Sequence, residues 1–597
     1  MKLSDYIMSY LENYGVKDVF LISGGGMMHL LDSVGKSNIN VICNFNEQAS
    51  SICADSYGKF TNKLGVCMLT TGPGSTNAIT GISAAYLDST PVLAISGQCK
   101  TQDSARLRGV RQYGAQEVDI ISMVKSTTKY AVQITDKNSI RYHLQKAVYL
   151  ATHRRKGPVW LDIPLDIQSA QVNIEDLYEF YPEKEKLEYT IDKDGFNTSV
   201  EKVYELLKNS KRPVFLVGGG VVGAGAKNTI KALIEKLKVP VLNTWRSKDI
   251  FEEDYPYYFD SPGIPAKRYS NYILQNSDLL IIIGTRLNAA LTAYDEVNFG
   301  PNAKKVIVDI DENELNKFKM KFELSIQADA SEFIDMMLEK SSEYILPHYD
   351  VWIKYCMDIK AKYPLNKEIQ PNDNEGFTDG YRFAEKLSSY FTEHDVFVGS
   401  SSGRTCGISH MAVKLKKGQR FISSMGLGSM GFVVPSTIAS CIASGRHRTI
   451  ALEGDGSLQH NIQELQLIKN YNLPIKLFVL SNSGYASIYM MQKNNFKSNF
   501  TACNEVSGLN FPKVNDVAKT YGLDYYKIEN NEQIDGVLKQ VMNDERPVLC
   551  EVMSSVYFDE IPKSMTIVNK DGTFSSSKLE NLYPFLSEQE VKENMLI

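Results

Sequence analysis

The chain has 597 residues, a net charge of −5 and a pI near 6.0, which leaves no electrostatic reason to expect nucleic acid or an anionic membrane as partner. About three to four domains of ordinary size fit that length. Nine cysteines lie scattered without a CxxC pair, which favours reduced, mostly buried thiols in a cytoplasmic protein over a disulfide framework or a zinc site.

MKLSDYIMSYLENYGV reads as an amphipathic helix ended by Gly15, with no charged leader, so no signal peptide is expected. The longest apolar runs, such as DLLIIIG, have the length of buried strands and not of membrane spans. Residues 1–170 then alternate strand, turn and helix, with strands DVFLIS, INVICNF, GVCMLTT, PVLAIS and GPVWLDIP. Gly24, Gly25 and Gly26 form the turn after the first strand, and His29 falls in the first turn of the helix that follows. Glu47 comes directly after INVICNF, where it is by itself an ordinary strand-end acid. The basic run His153 to Lys156 reads as a solvated helix end. A charged, aromatic stretch at 171–194 reads as a linker, and a second block at 195–345 holds RPVFLVGGG, VPVLNT, DLLIIIGT and AKKVIVDID. A polar crossing near QPNDNEG leads to a third block, 376–556, and a tail covers 557–597. Strands this continuously apolar indicate sheets covered on both faces, so the expected fold is α/β with three doubly wound parallel-sheet domains.

Gly218 to Gly223 follows PVFLV and satisfies GxGxxG, the mark of a nicotinamide dehydrogenase. The acid that should end the next strand is missing: VPVLNTW has Asn243 and Thr244 there, which argues against that class.

The densest chemistry lies in the third block. TIALEG reads as a strand, Gly454-Asp455-Gly456-Ser457 as a tight turn, NIQELQLIKN as one helix and IKLFVL as the next strand. Asp455 and Asn482 then share one sheet edge, where α/β proteins bind ligands. A carboxylate, an amide oxygen and a backbone carbonyl are hard donors suited to Mg²⁺ that carries phosphate oxygens, and the glycines let the backbone approach them. GDG alone is weak evidence, since Asp-Gly turns are common.

This segment resembles the diphosphate-binding motif of thiamine diphosphate (ThDP) enzymes, in which GDG is followed after about 25 residues by Asn-Asn or a variant of it. The resemblance implies Asp455, the Asn482 side chain and the Gly484 carbonyl as Mg²⁺ ligands, with Gly454, Gly456 and Ser457 around the diphosphate. TTGPGSTN is similar to the GPGxxN turn of the pyrimidine-binding domain, so Gly72, Pro73, Gly74 and Asn77 would shape the pocket wall and a subunit contact. GLGSMGF resembles the stretch that bends the cofactor: the Gly428 carbonyl would receive its 4′-amino group and Met430 would wedge between its rings. Glu47 takes the place of the glutamate bonded to ring nitrogen N1′, which favours the imino tautomer that takes up the C2 proton. The order of motifs is similar to the acetolactate synthase-like branch. Its three domains would be pyrimidine-binding, middle and diphosphate-binding, in a homodimer or homotetramer with active sites between subunits.

The implied reaction is decarboxylation of a 2-oxo acid, most simply pyruvate, with transfer of the acyl unit to an acceptor carbonyl. Gln116 and His29 would lie near the reacting carbon, and His410 in GISHMAV has a standing similar to that of His29. Several positions depart from the branch: Ala115 stands where an aromatic precedes Gln116, Lys493 replaces a tryptophan after Gln492, and Asn288, Ala289 and Ala290 follow Arg286, which would otherwise hold the acceptor's carboxylate. These changes favour a larger or polar acceptor, such as a keto-sugar, with acetolactate synthesis or simple decarboxylation as alternatives. SPGIPAKRY replaces the Gly-rich FAD contact, leaving FAD as an option that no motif supports. A non-catalytic regulatory subunit is the alternative of another class; retention of Glu47 argues against it.

Overall fold

The computed structural model describes residues 1–187, 192–368, 376–568 and 573–596. Residues 188–191 of the expected linker, nearly all of the polar crossing, and residues 569–572 and 597 of the tail lie outside that set.

Apolar β-branched runs build three parallel sheets. The first has strands β1 (Asp18–Leu21), β2 (Asn40–Cys43), β3 (Gly65–Leu69), β4 (Val92–Gln98), β5 (Tyr130–Gln133) and β6 (Pro158–Pro164), in the order β2-β1-β3-β4-β6-β5. The second has β7 (Pro213–Val217), β8 (Val241–Asn243), β9 (Leu279–Ile283), β10 (Lys304–Asp309) and β11 (Leu324–Gln327), in the order β11-β10-β9-β7-β8. The third has β12 (Val396–Val398), β13 (Arg420–Ile422), β14 (Thr449–Gly454), β15 (Ile475–Ser481), β16 (Asp524–Ile528) and β17 (Val548–Met553), in the order β13-β12-β14-β15-β17-β16. First and third sheets thus share one topology. Each sheet reverses direction beside its first strand, and the crevice at such a switch point is where this architecture binds ligands.

The first and third sheets bury a common core between the helices Glu47–Thr61 and Val433–Ala443. The former is rich in Ala, Ser and Gly and is buried along its length from Ala49 to Lys59, so the partner helix can approach closely. Three charges are sealed into this contact. Lys59 pairs with Asp55 at 2.6 Å and Asp88 at 2.8 Å, and the three side chains are 0%, 0% and 1% exposed. Burial pushes the Asp55 carboxyl up; it works against Asp88 as well, yet Lys59 and Arg246 hold that carboxyl below its ordinary range. Arg420 ties the second sheet's layer to the same place, pairing with Asp249 at 2.7 Å and donating to the Lys59 and Phe60 carbonyls.

The tail forms a two-stranded antiparallel ladder, β18 (Thr566–Val568) with β19 (Phe574–Ser576), and returns to the middle domain through the helix Glu588–Asn594. Buried Asn594 donates to the Tyr363 hydroxyl at 2.6 Å, and its carbonyl accepts from Asn276. Among the described residues no helix is long and apolar enough to cross a membrane.

Replacing Lys59 by methionine leaves two carboxylates buried without their cation, and is expected to cost about 3–5 kcal/mol of stability. The check is the thermal midpoint, with exposed Lys63→Met as the unaffected control and Lys59→Met/Asp55→Asn recovering part of the loss.

Candidate active site

Strand β14 ends at Gly454, and Asp455 opens the helical turn Asp455–Leu458. Asp455 is 4% exposed. One carboxylate oxygen accepts from the Gly456 N–H at 2.8 Å, the other from the N–H groups of Asn482 and Ser483 at 2.8 and 2.7 Å. Burial outweighs these donors and pushes its pKa up to about 6. The turn after β15 leaves the Asn482 Oδ1 buried without a hydrogen-bond partner among the described residues. A buried acceptor of that kind costs free energy until something electropositive meets it. Gly484 is required by space, because a Cβ there would lie 2.5 Å from the Cys503 carbonyl oxygen. That carbonyl also accepts from the Tyr485 N–H, so residues 496–511 lie behind the turn, held by Gln492, whose amide pairs in both directions with Thr501. Asp455, the Asn482 oxygen and the Gly484 carbonyl make a hard donor set that fits Mg²⁺. Among the described residues no cluster of three His, Cys, Asp or Glu side chains could hold a metal, so a cation here needs this mixed set and ligand oxygens.

A second loop, 424–432, crosses the same crevice. Gly426 donates to Asp88 at 2.8 Å, Gly428 lies against the Ser401 carbonyl, and Gly431 donates to Ser457 Oγ at 2.8 Å. Met430 is half-buried between these anchors. The expected single helix after GDG is broken: Gln459–Glu464 is a 3₁₀ segment, kinked at Asn461, before the helix Leu465–Asn470. The cause is tertiary, since Asn461 turns its amide to the Gly431 carbonyl at 2.7 Å and to Gln48 at 3.3 Å.

At the first sheet, Glu47 is the opening residue of its helix, with Asn46 as the cap that accepts from the Gln48 N–H at 2.8 Å. Asn77 donates to Glu47 at 3.0 Å, and Gly74 packs against the other carboxylate oxygen. Gly72, at φ +65°, could carry no side chain, because a Cβ would meet the Gln116 carbonyl at 2.1 Å. Glu47, Gly72, Asn77 and Gln116 are therefore one corner, with Ala115 and Gln116 exposed beside it. His29 is half-buried in the helix Met28–Val34, behind a glycine turn whose Gly26 donates to Thr70 at 3.2 Å. Within one chain the two corners touch through Gln48–Asn461 and through Glu464, which accepts from Asn44 at 3.0 Å and the Phe45 N–H at 2.9 Å.

Other candidates lie elsewhere. Lys493 is exposed and sits 4.4 Å from the centre of the Tyr557 ring. His410 is fully buried: it stacks on Trp245, uses both ring nitrogens on Cys406 and Ser423, and burial lowers its pKa to about 3, so it is a packed residue. Arg286 lines a separate cavity of about 320 Å³ at the carboxyl ends of β7, β9 and β10, with Gly219, Gly220, Arg246 and Asp309. Pro262 to Pro265 of SPGIPAKRY line it as well, and Lys59, Asp88 and Met425 close it from the other two domains.

Two features of the site escaped the sequence reading. The loop after β12, Gly399 to Arg404, walls the crevice: Ser401 Oγ accepts from the Ser424 N–H at 2.9 Å, and Arg404 donates to the Ala486 and Val556 carbonyls. A Ser- and Gly-rich turn after a buried strand was the available signal. Glu453, just before GDG, is fully buried and pushed up to about 7 by that burial.

Three family models match the chain: the N-terminal TPP binding domain of thiamine pyrophosphate enzymes at residues 1–123, their central domain at 200–337 and their C-terminal TPP binding domain at 401–552. A probable acetolactate synthase large subunit from Methanocaldococcus jannaschii is 30% identical, over 93% of this chain and 92% of its own. Acetolactate synthase 1 of Zea mays is 29% identical over 92% and 85%, and the Escherichia coli isozyme 2 large subunit 27% identical over 98% and 100%.

Asp455→Ala is expected to weaken Mg²⁺-dependent retention of a diphosphate ligand by at least about 10–100-fold. Calorimetry with ThDP and Mg²⁺ checks this, and equal binding by the variant would refute the donor assignment.

Proposed function

The chain belongs to the thiamine pyrophosphate enzymes, and we propose that within that family it decarboxylates a 2-oxo acid, most simply pyruvate, and passes the acyl unit to the carbonyl of a polar acceptor such as a keto-sugar. The observation that carries this reading is the pairing of two corners: Asp455 beside the unpartnered Asn482 oxygen, and Glu47 oriented by Asn77. When bound, ThDP supplies a thiazolium that accepts the electron pair left by departing CO₂.

The protein's own groups do the rest. Asp455, Asn482 and the Gly484 carbonyl would hold Mg²⁺ and through it the diphosphate, with Gly454, Gly456 and Ser457 close to its oxygens. The Gly428 carbonyl would receive the amino group of the pyrimidine ring, and Met430 would fill the space between the rings. Glu47 would hold a proton at the ring nitrogen, with Asn77 fixing its carboxyl. Gln116 and His29 would face the substrate. Exposed Phe45, two residues before Glu47, supports a site completed by a second subunit, in a homodimer or homotetramer. The middle-domain cavity leaves room for a further ligand such as a nucleotide, FAD remaining an option that no motif supports. All nine cysteines are free and eight are buried, which supports a reducing, cytoplasmic setting.

Acetolactate synthesis itself is the second reading, favoured by relatives of that name that span nearly the whole chain. Small Ala115, exposed beside Gln116, supports a larger acceptor instead. Mass spectrometry of products from pyruvate, with and without keto-sugars, separates the two: acetolactate as the sole coupled product retires the polar-acceptor reading.

Glu47→Gln is expected to keep ThDP binding while slowing CO₂ release from pyruvate by about 10²–10⁴-fold. Unchanged release would remove Glu47 from the proton path.

A further inference from the structure

We infer that the loop between β4 and the helix Ile120–Val124 docks the phosphate groups of the acceptor, an inference that rests on the two-substrate reaction proposed above. Residues 104–116 hold Arg106, Arg108 and Arg111 and no acid, in a chain whose net charge is −5. Glu117, the carboxylate that reaches into the loop, is spent on its scaffold. It accepts from the N–H groups of Ala105, Tyr113 and Gly114 at 2.7, 3.2 and 3.0 Å and from the Ser104 hydroxyl at 3.0 Å. Those bonds fix the loop's shape and leave the guanidinium charge uncompensated.

Arg108 donates to the Gln102 carbonyl and lies 3.8 Å from the centre of the Tyr113 ring. Arg106 and Arg111 are exposed and make no side-chain hydrogen bond or ion pair among the described residues. Between them stand Leu107 at 69% and Val110 at 53% exposure. A solvated surface interleaves both signs of charge; residues 104–116, between Asp103 and Glu117, interleave one sign with apolar side chains, the composition of a recognition surface. Guanidinium groups are planar, weakly hydrated and matched to phosphate oxygens. The carboxylate of a 2-oxo acid needs one such partner, whereas two uncommitted arginines and a third within six residues of one loop suit a phosphate or diphosphate.

Position gives the loop its use. It ends at Gln116, whose carbonyl backs Gly72, and Gly72 opens the turn that brings Asn77 to Glu47. The loop that carries Arg106 and Arg111 therefore adjoins, through Gln116, the corner assigned to the chemistry.

The test uses the full chain with ThDP and Mg²⁺ bound. Fructose 6-phosphate, uridine diphosphate glucose and unphosphorylated fructose are titrated by calorimetry. At least one phosphate-bearing probe should bind about tenfold or more tightly than fructose, and its affinity should fall with added salt. Arg106→Gln/Arg111→Gln should weaken that probe about 10–100-fold, while Lys354→Gln, an exposed lysine of the helix Asp350–Lys362, should not. The tighter probe tells whether a sugar phosphate or a nucleotide-linked sugar is the source. Phosphate-bearing probes that bind no better than fructose, or equally well to the double variant, overturn the inference. So does a double variant that binds phosphate normally but sediments as a smaller oligomer, which makes the loop a subunit contact. CO₂ release from 2-oxo acids is followed in the same samples. Release without phosphate binding retires the docking site alone; phosphate binding without release from any 2-oxo acid retires the reaction and leaves the anion site.

Discussion

The contact between the helices Glu47–Thr61 and Val433–Ala443 sets the geometry of nearly everything around it. Glu47 is the first residue of one helix, and the loop carrying Gly428 and Met430 runs directly into the other. Packing at interior density allows little sliding, so a buried helix pair transmits the position of each sheet to the other. The sealed Lys59, Asp55 and Asp88 charges add direction to that contact. Such groups contribute little net stability, because desolvation offsets their attraction, but they are satisfied in few arrangements. Asp88 also receives the Gly426 N–H, so the charge cluster and the loop over the crevice are one connected unit.

The three sheets solve the same problem in the same way. Their central strands are buried on both faces, so the polar groups free to meet a ligand stand mainly in the turns at the strand ends. Where strand order reverses, neighbouring turns splay apart and open a crevice. In the third sheet the turns after β12, β14 and β15 meet there; in the second, those after β7 and β9 frame the cavity that holds Arg286. The donors that matter lie on different turns and converge only because their strands are adjacent.

Electrostatics separates these places by sign. Asp455 is desolvated and lies beside an unpaired amide oxygen, a site whose polarity is negative and asks for a cation. The arginine loop next to the Glu47 corner has the opposite polarity and asks for an anion. Salt screens the exposed arginines over about 10 Å and the buried Asp455 much less, so the two places differ in salt dependence as well as in sign.

The fold class was legible from the chain because strand length, apolar continuity and turn residues are decided by near neighbours. GDG and Asn482 could be paired from sequence alone, since they end two successive strands and one helical crossing separates them. Glu47, Asn77 and Gly428 drew meaning only from a resemblance; nothing local distinguishes a strand-end glutamate that faces a ligand from one that faces water. The tertiary structure decided the rest. It broke the helix at Asn461, buried His410 against Trp245, moved Arg286 to a separate cavity and left the Asn482 oxygen without a partner. Each of these depends on residues far apart in the chain, whose meeting is fixed by how helices pack between sheets and not by the order of amino acids near them. Sequence by itself determined which groups could hold a metal-bound diphosphate, and packing alone determined which of them face the same space.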